Sequence, residues 1–166
     1  MPKPGLDPID CKIIAALQAD GRLSNVELAE RVGLSPSPCL RRVQRLEREG
    51  YIETYRAVLS RQRIGLGFTV FIGIKIEAHA DERADQMRDA IVAMPEVVAC
   101  HMVSGEADYL LEVVVPDLEH YQRFLLDRLL SLSMIKEVRS NIALQSAKVA
   151  APLPLSHLLR PEERRA

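Results

Sequence analysis

The sequence contains no tryptophan, and only 4% of its 166 residues are aromatic. Proteins that read unpaired bases need aromatic platforms to stack them on, so this scarcity argues against single-strand or RNA recognition. The three cysteines, Cys11, Cys39 and Cys100, are scattered and never in C-x-x-C spacing. They read as small apolar residues in a reducing cytosol rather than as a disulfide framework or a metal site. The first residues, MPKPGLDP, lack the apolar stretch of a signal peptide, and no apolar run approaches the roughly 20 residues of a membrane span. A cytoplasmic chain is expected. His79, His101, His120 and His157 show neither metal-ligand spacing nor an evident carboxylate partner. No catalytic residue, metal or cofactor is therefore nominated.

What is present is unevenly distributed. The formal net charge is −1, but residues 1–63 carry 11 Lys/Arg against 8 Asp/Glu, and residues 64–166 carry 11 against 15. A basic first part joined to an acidic remainder points to contact between the first part alone and an anionic polymer. Apolar residues make up 48% of the chain, enough for a proper core in one large or two small domains.

The most informative stretch is Ser24 to Gly50, SNVELAERVGLSPSPCLRRVQRLEREG. Ser24 and Glu27 are spaced as a capping box. Val26, Leu28, Ala29 and Val32 recur at helical spacing, and Gly33 can take the left-handed conformation that ends a helix. Ser35 stands as cap of a second helix, with Pro36 in its first position. At about 100° per residue from Arg41, the residues Ser37, Arg45, Arg42 and Arg48 gather on one side, and Leu40, Val43 and Leu46 on the other. An apolar back and a guanidinium-rich front with a hydroxyl near its start make the layout of a helix-turn-helix recognition helix. Arginine suits that front because it binds phosphate or guanine in a bidentate manner. Arg56, Arg61 and Arg63 further on can touch phosphates or remain exposed linker residues.

Around this pair, Asp7-Pro8 opens a helix whose buried stripe is Ile9, Ile13, Ile14 and Leu17, ending at Gly21. Tyr51 to Leu59 alternates as a strand and would form a wing. Gly65 and Gly67 mark a break, giving a first domain over 1–60 and a linker over 61–67. The second domain, 68–150, reads strand (68–76), helix (81–94), strand (97–103), strand (109–115), helix (from Pro116-Asp117 to about 130) and strand (from 135 to about 148). That is the ferredoxin-like βαββαβ order. Its strands are too apolar for one sheet face to be fully wet, so a second copy of the chain is expected on that face. The tail, 151–166, is expected to be irregular and to lie along a neighbouring subunit.

The stretches LDPIDCKIIAALQADGR (6–22), ELAERVGLSPSPCLRRVQRLEREGYI (27–52), SGEADYLLEVVVPDLEHYQRFL (104–125) and VRSNIALQSAKVAAPLPL (138–155) resemble the Lrp/AsnC family of transcription regulators. The resemblance covers about residues 6–155. It implies an α+β architecture, an N-terminal winged helix-turn-helix and a C-terminal ferredoxin-like effector and oligomerisation domain. Its implied partners are double-stranded DNA, a small amino acid effector, and further copies of the chain in dimers and larger rings. By position, Ser35, Ser37, Arg41, Arg42 and Arg45 match the DNA-contacting part, which Arg48 extends on the helix wheel. Met102, Ser104, Gly105, Asp108 and Tyr109 match the effector loop. Physically, Gly105 permits close approach of a ligand to the backbone, and Asp108 is a carboxylate suited either to a ligand ammonium or to capping its own turn. Tyr109 reads as strand core. Two other functions stay open: a ligand-independent DNA-compacting protein, and a tetrapyrrole decarboxylase of the same fold, for which His101 beside the loop would be the residue to watch.

Overall fold

The computed structural model describes residues 5–77, 82–149 and 151–158. The first four residues, residue 81 at the start of the expected helix, and residues 150 and 159–166 of the expected tail region lie outside them. Two compact units result: Met1–Val58 together with Lys148–Ala166, and Leu59–Ala147. The tail thus belongs with the first unit, and the stretch expected as a linker with the second.

Three helices build the first unit: α1 (Pro8–Ala19), α2 (Asn25–Val32) and α3 (Pro36–Arg48). Each starts where its sequence says it should. The Asp7 carboxylate accepts the Asp10 amide while Asp10 accepts the Asp7 amide, and Ser24 and Glu27 repeat the exchange at α2. Gly33 ends α2 at φ 73°, where a side chain would be strained. Ser35 differs from expectation. It occupies the cap position of α3, yet its hydroxyl makes no cap hydrogen bond. The third helical residue is Pro38, which has no N–H to donate. Ile13, Leu28, Ala29, Val32, Cys39 and Leu46 close the core between the helices.

Residues 51–60 form no strand. A ladder needs a second backbone, and among the described residues none pairs with this segment as a strand; Val58 and Leu59 are exposed. The tail also contacts its own chain. The Gln18 side-chain amide donates to the Leu153 carbonyl (3.3 Å) and its oxygen accepts the Leu153 amide (2.7 Å), a two-point clasp on α1.

The second unit is an antiparallel sheet in the order β2-β3-β1-β4, formed by β1 (Phe68–Ile76), β2 (Val97–Met102), β3 (Tyr109–Val115) and β4 (Ile135–Ile142). Helices α4 (Glu82–Val92) and α5 (Leu118–Arg123) complete the ferredoxin-like order. The final turn of the second helix, Phe124–Leu129, is π-helical. Strand β4 is shorter than its apolar pattern suggests, since the register with β1 runs out at Val70↔Ile142. Val70, Ile72, Ile74 and Ile76 point to the helices and meet Leu111, Val113, Ile91 and Phe124 in one core. On the other face Phe71 and Leu110 remain exposed, and charged residues are paired: Arg61 reaches Glu112 (2.7 Å), and Glu137 joins Lys75 (3.5 Å) to Arg139 (2.7 Å). Arg61 therefore anchors the start of this unit.

Leu46 is fully buried whereas Leu40 is 44% exposed. Leu46→Ala is expected to cost about 2–5 kcal/mol in urea unfolding, and Leu40→Ala well under about 1 kcal/mol. Equal costs would mean that α3 packs in a different rotation.

Candidate nucleic-acid interface and ligand loop

The rotation of α3 decides which side chains it offers. Cys39, Val43 and Leu46 face the core, so the exposed arc is centred on Ser37, Leu40, Arg41, Gln44 and Arg48. This corrects two expectations. Leu40 lies outward rather than in the packing stripe, and Gln44, which the wheel passed over, lies in the middle of the front. Arg42 and Arg45 lie at its margin, turned toward α1.

There they meet acids. Arg42 Nη1 donates to Asp7 Oδ2 (2.6 Å) and Asp10 Oδ1 (2.8 Å), and Arg45 Nη2 donates to Asp10 Oδ2 (2.5 Å). Asp10 is completely buried. A buried carboxylate survives only when its oxygens are bonded and its charge is opposed, and these two arginines supply both. Arg45 Nε stays buried without a hydrogen bond, 4.0 Å from Glu49. The hydrogen bonds that Arg42 donates to Asp7 and then Asp10 raise its pKa above the ordinary value. Partial burial pushes the Asp7 carboxyl up, but the Asp10 amide and the Arg42 guanidinium together hold it below the usual range. Arg41, Arg42 and Arg45 also line, with Asp7 and Pro38, a cavity of about 440 Å³ that opens beside the exposed arc. Two of the four arginines expected to contact DNA thus also hold α3 against α1, while Arg41 and Arg48 have no partner among the described residues.

The expected ligand loop joins β2 to β3. Gly105 sits at φ 122°, a conformation that side chains rarely adopt. Val103 donates its amide to the Asp108 carbonyl (2.9 Å), and Asp108 donates its own to the Ile74 carbonyl (2.8 Å). The Asp108 carboxylate accepts the Ile76 amide (2.9 Å), tying the loop to the end of β1. Met102, Asp108 and Tyr109 line a cavity of about 280 Å³ together with Ile76 and Val103, which the sequence had not singled out. Ser104 and Gly105 are not among its walls. Met102 is 74% exposed, whereas Tyr109 is core, as its strand position implies. Among the described residues no group of three or more His, Cys, Asp or Glu is arranged to hold a metal ion, and no helix is long and apolar enough to cross a membrane.

Residues 69–153 match the model of the Lrp/AsnC ligand-binding domain, and residues 6–53 that of a winged helix-turn-helix DNA-binding domain. The leucine-responsive regulatory proteins of Klebsiella pneumoniae and Escherichia coli K12 are each 43% identical over 148 residues, 88% of this chain and 90% of theirs. A transcriptional regulator of Neisseria meningitidis, solved with L-methionine, superposes with a TM-score of 0.89 at 42% identity, covering 93% of this chain and 99% of its own. An AsnC family regulator of Agrobacterium tumefaciens gives 0.88 at 37% identity, covering 93% of this chain and 100% of its own. The chain belongs to the Lrp/AsnC family. It is a DNA-binding transcriptional regulator with a ligand-binding domain.

For this Lrp/AsnC regulator, the role of Asp10 had a signal in the sequence. Asp7, the cap of α1, and Asp10, in its first turn, are three apart, and Arg42 and Arg45 are three apart on one face of α3, so the two pairs have matching spacing. No such signal pointed to Ile76, which reaches the loop only through the folding of β1 beside it; Val103 is next to Met102 and Ser104 in sequence but reads there only as the end of a strand.

Asp10→Asn is expected to destabilise the first unit by about 3 kcal/mol, the lower end for breaking a buried pair, because the stranded arginines keep some water. The depressed Asp7 pKa means that its contribution is present above about pH 3.8 and is lost as pH falls through the lower folded value. Acid unfolding monitored by circular dichroism should begin at higher pH in Asp10→Asn and lose part of its steepness in Asp7→Asn.

Proposed function

We propose that the chain regulates transcription by laying α3 in the major groove of double-stranded DNA, under control of an amino acid held at the Met102–Tyr109 loop. The observation that carries the DNA half is the sorting of α3: Asp10 takes the inner edges of Arg42 and Arg45, leaving Arg41, Gln44 and Ser37 foremost. Arginine is the commonest reader of guanine, and glutamine can bond adenine in a bidentate manner. Ser35, whose hydroxyl has no cap bond, and Arg48 are placed for phosphates. The cavity edged by Arg41, Arg42 and Arg45 also suits a backbone phosphate. In this reading Arg42 and Arg45 are first positioning residues and then phosphate contacts.

The ligand half is supported by the loop cavity and by the L-methionine held by the Neisseria relative. The Asp108 carboxylate fits an ammonium group, and loop amides fit a carboxylate. Ser104 and Gly105 then act through backbone and loop shape. Assembly is expected through the sheet face bearing Phe71 and Leu110 and through the unpaired 51–60 segment. Both leave apolar or hydrogen-bonding surface that a second copy of the chain would cover. Effector and operator must alter each other's affinity by the same factor. A cytoplasmic location and the lack of an enzymatic reaction belong to the same reading.

Fluorescence anisotropy on DNA from upstream of the chain's own gene, with each amino acid added in turn, tests both halves. Arg41→Ala and Gln44→Ala should each weaken operator binding by about 1–3 kcal/mol and relax preference at one base pair. Arg48→Ala should instead lower the salt slope by about 0.9 without changing preference. Undiminished operator binding by the first two variants would overturn the assignment. A Cβ at Gly73 would lie 3.3 Å from the Ala107 Cβ, under the loop. Gly73→Val should therefore blunt the amino acid response while leaving ligand-free DNA binding intact.

A further inference from the structure

A second cavity, of about 420 Å³, opens at the opposite end of β3 from the ligand loop. Tyr109 and Val115 bound that strand, so the two cavities lie about 20 Å apart at roughly 3.3 Å per residue. The floor of this cavity is apolar, formed by Leu66, Val115, Pro116 and Phe124. Its charged walls are not all equivalent. Arg128 is committed to Glu96, with both carboxylate oxygens at 2.6 Å. His120 is held by Asp117 at 2.8 Å, and the His120 amide, followed by its ring, keeps the Asp117 carboxyl below its ordinary range.

Two walls remain uncommitted. Arg123 is 58% exposed and meets Glu119 only at 3.9 Å. Asp127 has no partner among the described residues and lines the same cavity. In a regular α-helix an Arg and an Asp four apart neutralise each other. Here the helix turns π-helical at Phe124, between the two, and Leu130 donates to Leu125 five residues back. Such turns often mark functional sites. Among the described residues, the cavity keeps a cation held only by the long Glu119 contact and an anion with no partner, above an apolar floor.

We infer that this cavity is a second ligand site, for a small monocarboxylate carrying an apolar side group. Arg123 takes the carboxylate, and Phe124, Val115 and Leu66 cover the side group. Asp127 disfavours a second carboxylate and accepts an ammonium. An α-amino acid is accordingly preferred over its 2-keto analogue. The site does not depend on the ligand loop, so it stands or falls separately from the effector reading.

The ring protons of His120 report directly from the cavity wall. In the full chain, proton NMR resolves the histidine Cε1–H signals, with His120→Gln assigning the one of interest. L-Leucine, L-phenylalanine and 4-methyl-2-oxopentanoate serve as probes. The His120 signal of the wild type should shift saturably with both amino acids and require several-fold more of the keto acid. Arg123→Gln, a change at an exposed position, should raise the half-saturating concentration about tenfold or more. Asp127→Asn should remove the preference for the amino acids over the keto acid. Met102→Arg, which places a charge at the loop cavity, should leave the His120 titration unchanged while blunting the amino acid response of DNA binding. A His120 signal silent to all three probes in the wild type, or one that titrates equally in Arg123→Gln, overturns the inference. A His120 shift that vanishes in Met102→Arg also overturns it, because it would originate at the loop.

Discussion

The buried carboxylate of Asp10 is the interaction on which the DNA-binding unit turns. It is fully buried between α1 and α3, and its charge is tolerable only because Arg42 and Arg45 are brought to it. Close packing of Cys39, Val43 and Leu46 sets which side of α3 faces the core. Two charge-assisted bonds to one fixed carboxylate add directional contacts that hold that rotation. Ser37, Arg41 and Gln44 are foremost on α3 because Arg42 and Arg45 are not. The cost is an orphaned Arg45 Nε and dependence of the unit on a pair of acids in its first turn.

The sheet unit achieves precision differently. β1 is paired on both edges, to β3 and β4, and its alternate residues fill the helix-covered core. Because side chains alternate strictly along a strand, fixing Ile72 and Ile74 inward fixes Phe71 and Gly73 outward. Gly73 is where the loop between β2 and β3 descends, and the Asp108 bond to Ile76 pins that loop to the same strand. One strand therefore positions the loop, the exposed sheet face and the core. The cavity at the far end of β3 depends on a different device, the π-helical turn that separates Arg123 from Asp127.

Much of this was legible in the order of residues. The Asp7-Pro8 helix start, the capping box at Ser24, the Gly33 stop, the β-rich run of β1 and the βαββαβ order are local or periodic signals, and a local signal carries its own geometry. So did the Lrp/AsnC membership, written in long ordered stretches such as LSPSPCLRRVQRLEREG. What the order of residues determined, then, was the kind of each element, its approximate ends and the angular spacing of side chains around it. Tertiary structure alone decided the absolute rotation of α3, which sends Arg42 and Arg45 to Asp10 and turns Leu40 and Gln44 outward. It likewise decided that Asp108 bonds Ile76, that Arg61 pairs with Glu112 rather than remaining a linker residue, and that Leu153 is clasped by Gln18. The physical reason is the same in each case. A helix or strand period fixes relative directions within an element, but its phase toward the rest of the molecule is set by partners far away in sequence, here 32 to 135 residues off.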